Sequence, residues 1–288
     1  MASRARELLP LLRPALAPTA AADVVVAAAL FTDADLSRVA AAAAGSICLY
    51  CGGMAQNDLC DRARDAKLHP GRPLARDPSL APPARLLVAG LFAAGLTLAA
   101  LGGALLPAVA VLLLASAYNL GAKARFPWDG LCLGAARAAN LAIGFSAGEA
   151  PWSVETFTCA AAYLLYAGGV TGASRAEDLD PAPTRRLTLL LAFVPQAVGL
   201  AGFASIAVAG RSYALLLPLA LLLLALRRAI ARGTREAAVR YVRDALLVIF
   251  PLHAAVLWAR QEPGPIASIA VCAGASFLLL AAVPRSAG

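Results

Sequence analysis

Three aspartates that follow the second long apolar stretch have a spacing suited to metal binding. Asp58, Asp61 and Asp65 are three and four residues apart, so a helix would place their carboxylates on one face, with Asn57 beside Asp61. Like charges crowded at the edge of hydrocarbon are unfavourable unless a cation neutralises them. Carboxylate oxygens suit Mg²⁺, which often binds the phosphates of a substrate at the same time. The spacing therefore predicts that Mg²⁺ bridges these acids to a diphosphate.

Basic residues near the acidic face offer an alternative and a further ligand. Arg62 and Arg64 would neutralise the carboxylates if the segment were only a solvated acidic turn, but on a helix they point away from that face. The segment 69–74 reads HPGRPL, a stiff stretch whose Arg72 can bind phosphate in a bidentate manner. His69 is interpreted as a surface residue rather than a base. Arg72 is therefore predicted to bind substrate.

Polar residues also lie inside the predicted membrane spans. Arg137 and Asn140 are three residues apart on one helical face, and Asp23 lies in the first apolar stretch. An arginine in hydrocarbon is costly unless it lines a polar cavity or is paired. We expect all three to bind substrate, and a purely structural ion pair between Asp23 and Arg137 is the alternative.

The elements that must position these residues are transmembrane helices. Of the 288 residues, 60% are hydrophobic and 15% charged, and the mean hydropathy is +0.73, which a soluble core cannot absorb. The apolar runs approach the roughly 20 residues that cross a bilayer as a helix. The sequence predicts an all-α, polytopic membrane protein with spans at 14–31, 37–56, 84–103, 105–122, 130–148, 154–172, 187–209, 213–227, 244–259 and 266–283.

The distribution of basic residues gives the orientation. With the N-terminus in the cytoplasm, 21 of the 25 Lys and Arg residues fall on the inner side; Arg38, Arg211 and Arg260 fall outside, and Arg137 lies within a span. This asymmetry follows the positive-inside rule, so the net charge of +8 reports membrane orientation and not a nucleic-acid partner. We expect a multi-pass protein of the cell (inner) membrane whose first helix is retained rather than cleaved as a signal peptide.

The chain is expected to form one membrane domain over residues 1–288. The longer, more charged loops at 57–83, 173–186 and 228–243 fall on the inner side, and function is expected there. Weak similarity between the two halves hints at a duplication. The CxxC of Cys48 and Cys51 lies in an apolar span without a second pair, so its cysteines are interpreted as packing residues.

The sequence resembles a known family of membrane enzymes. The NDxxDxxxD pattern from Asn57 to Asp65, followed by the HPGRPL segment, resembles the first Asp-rich motif of the UbiA superfamily of intramembrane prenyltransferases. The segment 118–123, YNLGAK, is similar to the cytoplasmic Tyr-x-x-x-x-Lys element of that family. The resemblance implies a bundle of nine or ten helices around a central cavity that opens to the cytoplasmic side. It also implies that Mg²⁺ holds an isoprenyl diphosphate at that end.

The resemblance gives roles to three residues of the Tyr-x-x-x-x-Lys element. Lys123 would reach the diphosphate as a catalytic cation, or it would act only as a basic anchor of orientation. Tyr118 would present its ring to an allylic cation, or it would lie in the interfacial aromatic belt. Asn119 is expected to bind substrate.

The second inner loop departs from the family pattern. The family usually carries DxxxD there, whereas residues 174–180 read SRAEDLD and contain no acidic pair four residues apart. Glu177, Asp178 and Asp180 remain candidates for a second metal site. Ser174 is a candidate for substrate binding, and Arg175 would contact the diphosphate directly and replace metal charge with guanidinium charge.

Three functions are compatible with these features. The first is a Mg²⁺-dependent prenyltransferase that acts on an isoprenyl diphosphate and an aromatic or lipophilic acceptor within membrane lipid. The second is a related protein that binds or moves a lipid or diphosphate-bearing precursor without catalysis. A secondary transporter is disfavoured, because the acidic cluster lies at a helix end and not near the membrane midplane.

Overall fold

The protein is a helical bundle in a computed structural model that describes residues 7–30, 34–150, 152–208, 210–262 and 264–282. Those residues contain helices and no strand, so the all-α prediction is confirmed for the part described. The long helices are α1 Ala17–Ala29, α2 Leu36–Leu68, α3 Ala81–Leu101, α4 Leu105–Leu120, α5 Trp128–Ala147, α6 Val154–Ser174, α7 Ala182–Ser205, α8 Leu216–Arg232, α9 Arg235–Leu247, α10 Ile249–Ala259 and α11 Ile266–Ala282.

Several helices are long and apolar enough to cross a membrane. In the part of the chain that the structure describes, seven segments meet both conditions, as expected of a multi-pass membrane protein: Leu9–Ala29, Leu36–Leu68, Pro78–Leu101, Trp128–Ala147, Ala182–Ser205, Ser212–Arg232 and Arg235–Ala259. The three other predicted spans fall on α4, α6 and α11, of which α4 and α11 are shorter apolar helices. The count of nine or ten spans, like the central cavity, stays a prediction.

One segment predicted as a loop is helical. The expected inner loop 228–243 contains the end of α8 and most of α9, separated by Gly233 at φ 64°. Thr234 caps α9 by accepting a hydrogen bond from the amide of Ala237. The sequence predicted a loop here because charged residues interrupt the apolar run. The helix α9 is nevertheless amphipathic and buries a stripe of small and aromatic residues: Ala237, Ala238, Tyr241 and Ala245.

The length of α2 positions the Asp-rich segment. Asp35 caps its N-terminus by accepting from the amide of Ser37 at 2.8 Å. Its 33 residues give a length of about 50 Å, well beyond the roughly 30 Å of hydrocarbon. The predicted span ended at residue 56, whereas the helix continues to Leu68. The carboxylates therefore lie on the C-terminal extension of a rigid helix.

Glycines let the neighbouring helices approach closely. A Cβ placed on Gly45 of α2 would lie 2.8 Å from the carbonyl oxygen of Gly95 on α3. A Cβ on Gly144 of α5 would collide with the carbonyl oxygen of Val24 on α1. Small residues at such crossings are typical of membrane helix packing. The second contact brings α1 and α5 together at the residue next to Asp23 and about two turns from Arg137.

The predicted inner loops meet at one end of the bundle, called here the motif end. Arg64 on the extension of α2 pairs with Asp178 of the second loop at 2.8 Å. Arg185 of α7 donates to the carbonyl oxygen of Gly233 between α8 and α9 at 2.5 Å. At the other end of α2, Arg38 pairs with Glu149. The loops expected to share one membrane side therefore do share one end of the bundle.

We expect the motif end to face the cytoplasm, as the positive-inside rule predicts. In a variant whose only cysteine is the native, exposed Cys60, an impermeant thiol reagent should leave the protein unlabelled in spheroplasts and label it after lysis. A cysteine at the exposed Tyr213, near the opposite end, is the matched control and should react before lysis. Labelling of Cys60 in intact spheroplasts would reverse the orientation.

Candidate functional site

Two carboxylates of the Asp-rich segment are buried against arginines from other segments. Asp58 is 7% exposed and accepts from Arg13 Nη2 at 3.1 Å. Asp65 is 4% exposed and accepts from Arg72 Nη1 at 2.8 Å. Arg13 precedes α1, and Arg72 lies in the HPGRPL segment that folds back over α2. The cations that meet these acids therefore come from outside the helix that carries them.

The third carboxylate binds the lysine of the Tyr-x-x-x-x-Lys element. Lys123 Nζ lies 2.6 Å from Asp61 Oδ1 and donates to Asn57 Oδ1 at 3.0 Å. Tyr118 is partly buried within electrostatic range of Asp61 and Arg175. The short 3₁₀ turn Ala122–Ala124 after α4 places Lys123 over the acidic face. Residues about sixty positions apart thus form one cluster.

The second loop faces this cluster through Glu177 and Asp178. Asp178 pairs with Arg64 at 2.8 Å and lies 3.9 Å from Arg235. Burial and the adjacent charge of Asp178 raise the pKa of Glu177, although Arg235, Arg13 and other cations act in the opposite direction. A further cation at the site would stabilise the charged form of such a carboxyl group.

Asp180 lies apart from the other acids. Its side chain is 92% exposed and accepts from Arg185 at 3.0 Å. Arg185 is buried and also donates to the carbonyl oxygens of Ala176, Leu179 and Gly233. This guanidinium fixes the path of the second loop, and the carboxylate of Asp180 is left at the surface.

Arg175 is held by a residue that the sequence analysis missed. It forms an ion pair with Asp129, which is buried at the start of α5, and its guanidinium lies 5.2 Å from the ring centroid of Phe126. Ser174 donates to the carbonyl oxygen of Thr171, in its own helix, at 2.7 Å. Asp129 could have been found from the sequence, because it lies at the inner end of a predicted span, as Asp58 does.

Asn119 links α4 to α2. Its amide donates to the carbonyl oxygen of Gly53 at 3.0 Å and to Gln56 Oε1 at 2.9 Å. Gln56 in turn donates to Ser116 at 3.2 Å. These bonds fix α4, and with it Tyr118 and Lys123, relative to the acidic face of α2.

Asp23, Arg137 and Asn140 come together in a buried polar cluster. Asp23 is 0% exposed and accepts from Arg137 at 2.8 Å and from Asn140 at 2.9 Å through one oxygen. Its other oxygen accepts from Tyr163 at 2.5 Å. Both nitrogens of buried His253 lack a hydrogen-bond partner among the described residues, and Nε2 lies 3.6 Å from Asp23. The sequence analysis missed Tyr163 and His253 because both lie within apolar stretches.

This cluster lies far from the acidic face along the axis of α2. Ser46 of α2 belongs to it, since it donates to Asn140 Oδ1 at 2.6 Å. Asp58 lies twelve residues further along the same helix, a rise of about 18 Å. Asp23, Arg137 and Asn140 are therefore one group near the middle of the bundle, separate from the group at the motif end.

The motif end is suited to binding a polyanion with a divalent cation. No group of three or more Asp, Glu, His or Cys side chains in the described ranges could hold a metal ion by itself. Mg²⁺ commonly uses one or two carboxylates and takes its other ligands from phosphate and water. The acidic face provides such carboxylates, and the surrounding cations can bind phosphate oxygens: Arg13, Arg72, Lys123 and Arg175.

Comparison with solved structures shows the same fold in other proteins. A UbiA homolog from Aeropyrum pernix K1 has a TM-score of 0.69 and 21% identity, over 86% of this chain and 98% of that chain. A structure described as digeranylgeranylglyceryl phosphate synthase has a TM-score of 0.66 and 17% identity, over 90% of this chain and 99% of that chain. A UbiA homolog from Archaeoglobus fulgidus bound to DMAPP and Mg²⁺ has a TM-score of 0.53 and 17% identity, over 96% and 100%.

The family follows from the sequence itself. No curated protein matches the chain. The sequence model described as the UbiA prenyltransferase family matches residues 15–243, which include the acidic face, the Tyr-x-x-x-x-Lys element and the second loop. The chain belongs to the UbiA prenyltransferase family.

Proposed function

We propose that residues 1–288 form one transmembrane prenyltransferase domain that transfers an isoprenyl group from an allylic diphosphate to a lipophilic acceptor. The observation that carries this proposal is the acidic face of α2, where Asp58, Asp61 and Asp65 each meet a cation from a different segment. Solved structures of the Archaeoglobus fulgidus homolog with DMAPP or GPP and Mg²⁺ support it. The active site would face the cytoplasm.

The donor set fits Mg²⁺. Asp58, Asp61 and Asp65 offer hard oxygen ligands on one helical face, and Asn57 shares the contact of Asp61 with Lys123. Glu177 lies within electrostatic range of Arg13 and Arg72, the partners of Asp58 and Asp65. When bound, Mg²⁺ would draw negative charge from the diphosphate and make it a better leaving group. Asp178 is a further candidate ligand. Asp180 is a weaker candidate, because its side chain is exposed.

The cations of the site have a second role once the diphosphate is present. Arg13, Arg72 and Lys123 each pair with one carboxylate of the acidic face. When another cation neutralises those carboxylates, the same three side chains can turn to the diphosphate oxygens without leaving a buried charge unpaired. Lys123 and Arg72 would thereby hold the negative charge that develops on the leaving group.

The remaining residues would guide the hydrocarbon part of the reaction. Tyr118 lies within electrostatic range of Asp61 and can present its ring to the allylic carbon as positive charge develops there. The apolar interior of the bundle would keep water from that carbon until the acceptor attacks it. Asp23, Arg137 and Asn140 would orient substrate only if their cluster opened, because Asp23 is fully buried.

A binding or transport protein without catalysis is the second candidate. The observations that favour it are the exposed Asp180 and the ion pair that ties Arg175 to Asp129. A protein of this kind would still hold a diphosphate through the first motif, because holding a diphosphate needs less charge withdrawal than ionising it.

Arg175→Ala separates catalysis from binding. We expect the variant to lower prenyl transfer by at least about 100-fold, because it removes a cation that would stabilise the leaving group, while much of the Mg²⁺-dependent binding remains. The assay follows release of diphosphate and formation of a lipid-soluble product from labelled GPP, with Mg²⁺ and an acceptor-bearing extract.

Arg186→Ala is the matched control, because Arg186 is an exposed arginine in the first turns of α7, at the end of the same inner loop. It should retain nearly full activity. Saturable binding of the label by the unmodified protein, with all of it recovered as unchanged diphosphate over a range of chain lengths and extracts, would reject the enzyme and favour the binding protein.

A further inference from the structure

Four arginines surround a polar pocket on the C-terminal helices. The pocket has a volume of about 390 Å³ and lies between α8 and α9. Arg228 and Arg232 line it from α8, and Arg240 and Arg243 line it from α9. All four are exposed, so the pocket is open at the surface of the motif end.

An apolar cavity continues from this pocket. It has a volume of about 420 Å³ and is lined by α8, α9, α10 and α11. The pocket and the cavity share Ala225, Arg228 and Asp244 as lining residues. Leu224 and Phe277 line the apolar part and are 41% and 58% exposed, so it opens sideways toward hydrocarbon. The pocket and the cavity together are called the α8–α11 groove.

The polar part of the groove carries an excess of positive charge. Among the described residues that line it, the one carboxylate is that of Asp244, which pairs with Arg243 at 3.1 Å. Within the described ranges, no carboxylate forms an ion pair with Arg228, Arg232 or Arg240. Like charges gathered around one pocket repel one another, so an anion that enters the pocket relieves this repulsion.

The groove is separate from the candidate active site. None of its lining residues belongs to the acidic face, the Tyr-x-x-x-x-Lys element or the second loop. Between them lie the contacts of α9 with α6 and α7: Tyr166 donates to the carbonyl oxygen of Ala245 at 2.7 Å, and Tyr241 donates to Gln196 at 2.9 Å. An isoprenyl diphosphate bound at the acidic face would therefore not occupy the groove.

We propose that the α8–α11 groove binds an anionic phospholipid. The guanidinium groups would hold the phosphate of the headgroup, and an acyl chain would lie in the apolar part. A basic pocket joined to an apolar groove that faces hydrocarbon matches an amphiphile with one negative end. The pocket also lies at the end where the positive-inside rule places the cytoplasmic leaflet, whose lipids attract basic side chains.

The test measures lipid retained by the full-length protein. Detergent-purified protein is incubated with phosphatidylglycerol or phosphatidylcholine vesicles, and bound lipid is counted by native mass spectrometry and titrated for affinity. We expect selective retention of phosphatidylglycerol, and an affinity about thirtyfold lower in the double variant Arg228→Gln, Arg232→Gln. The matched control Arg85→Gln, Arg227→Gln removes two exposed arginines outside the groove and should change the affinity less than about threefold.

A third variant distinguishes a lipid from a free anion. Ala270→Phe would fill the apolar part without changing charge, and it should lower phosphatidylglycerol binding but not the binding of inorganic phosphate. Equal retention of the two lipids, or equal loss in the control variant, would overturn the proposal. So would phosphatidylglycerol binding that is unaffected by Ala270→Phe and fully displaced by millimolar inorganic phosphate, because the site would then bind phosphate alone.

Discussion

Asp61→Asn is expected to weaken the Mg²⁺-dependent binding of labelled GPP by at least about 100-fold, because it removes a ligand charge from the centre of the acidic face. It also leaves Lys123, 2.6 Å away, without its carboxylate partner. Binding is measured on purified protein with Mg²⁺ and with a chelator, and the difference between the two conditions gives the metal-dependent part.

Asp180→Asn is the matched control for this prediction. The Asp180 side chain is 92% exposed and contacts Arg185, whose other bonds go to backbone carbonyls. We expect binding to change less than about threefold, as is usual for surface substitutions. Equal losses in the two variants would mean that the second loop provides a full metal site, and the assignment of the main metal ligands to the first motif would be wrong.

Asp23→Asn should lower the free energy of unfolding by about 3–5 kcal/mol, because it leaves the Arg137 guanidinium buried without a countercharge. Arg137 would keep its hydrogen bond to Thr19, at 2.9 Å, but no described carboxylate other than Asp23 pairs with it. The measurement is thermal or denaturant unfolding of the purified protein in detergent micelles.

The double variant Asp23→Asn, Arg137→Gln tests the cause of that loss. Removal of both charges should restore part of the stability, because no uncompensated charge remains. If the two changes add without coupling, the ion pair is not what stabilises the cluster. Loss of GPP binding in single variants that unfold like the unmodified protein would instead support the prediction from the sequence that Arg137 and Asp23 bind substrate.

Features that repeat within one helix could be read from the sequence. The apolar runs predicted most of the long helices, since a membrane span imposes its length and hydropathy locally. The three-residue and four-residue spacing of Asp58, Asp61 and Asp65 predicted a shared face, and α2 continues through them to Leu68. Where charge interrupted the apolar pattern, as in α9, the same reasoning predicted a loop and was wrong.

Contacts between helices were decided by the tertiary structure. Arg13 meets Asp58 across 45 residues, Arg175 meets Asp129 across 46, and Tyr163 meets Asp23 across 140. Each pairing depends on how two helices rotate and how closely they pack, which glycines such as Gly144 permit but no local pattern encodes. The sequence by itself thus determined most of the long apolar helices, the uneven distribution of basic residues between them and the shared face of the three aspartates. Only packing decided which cation meets each acid, because the partners come from segments far apart in the chain.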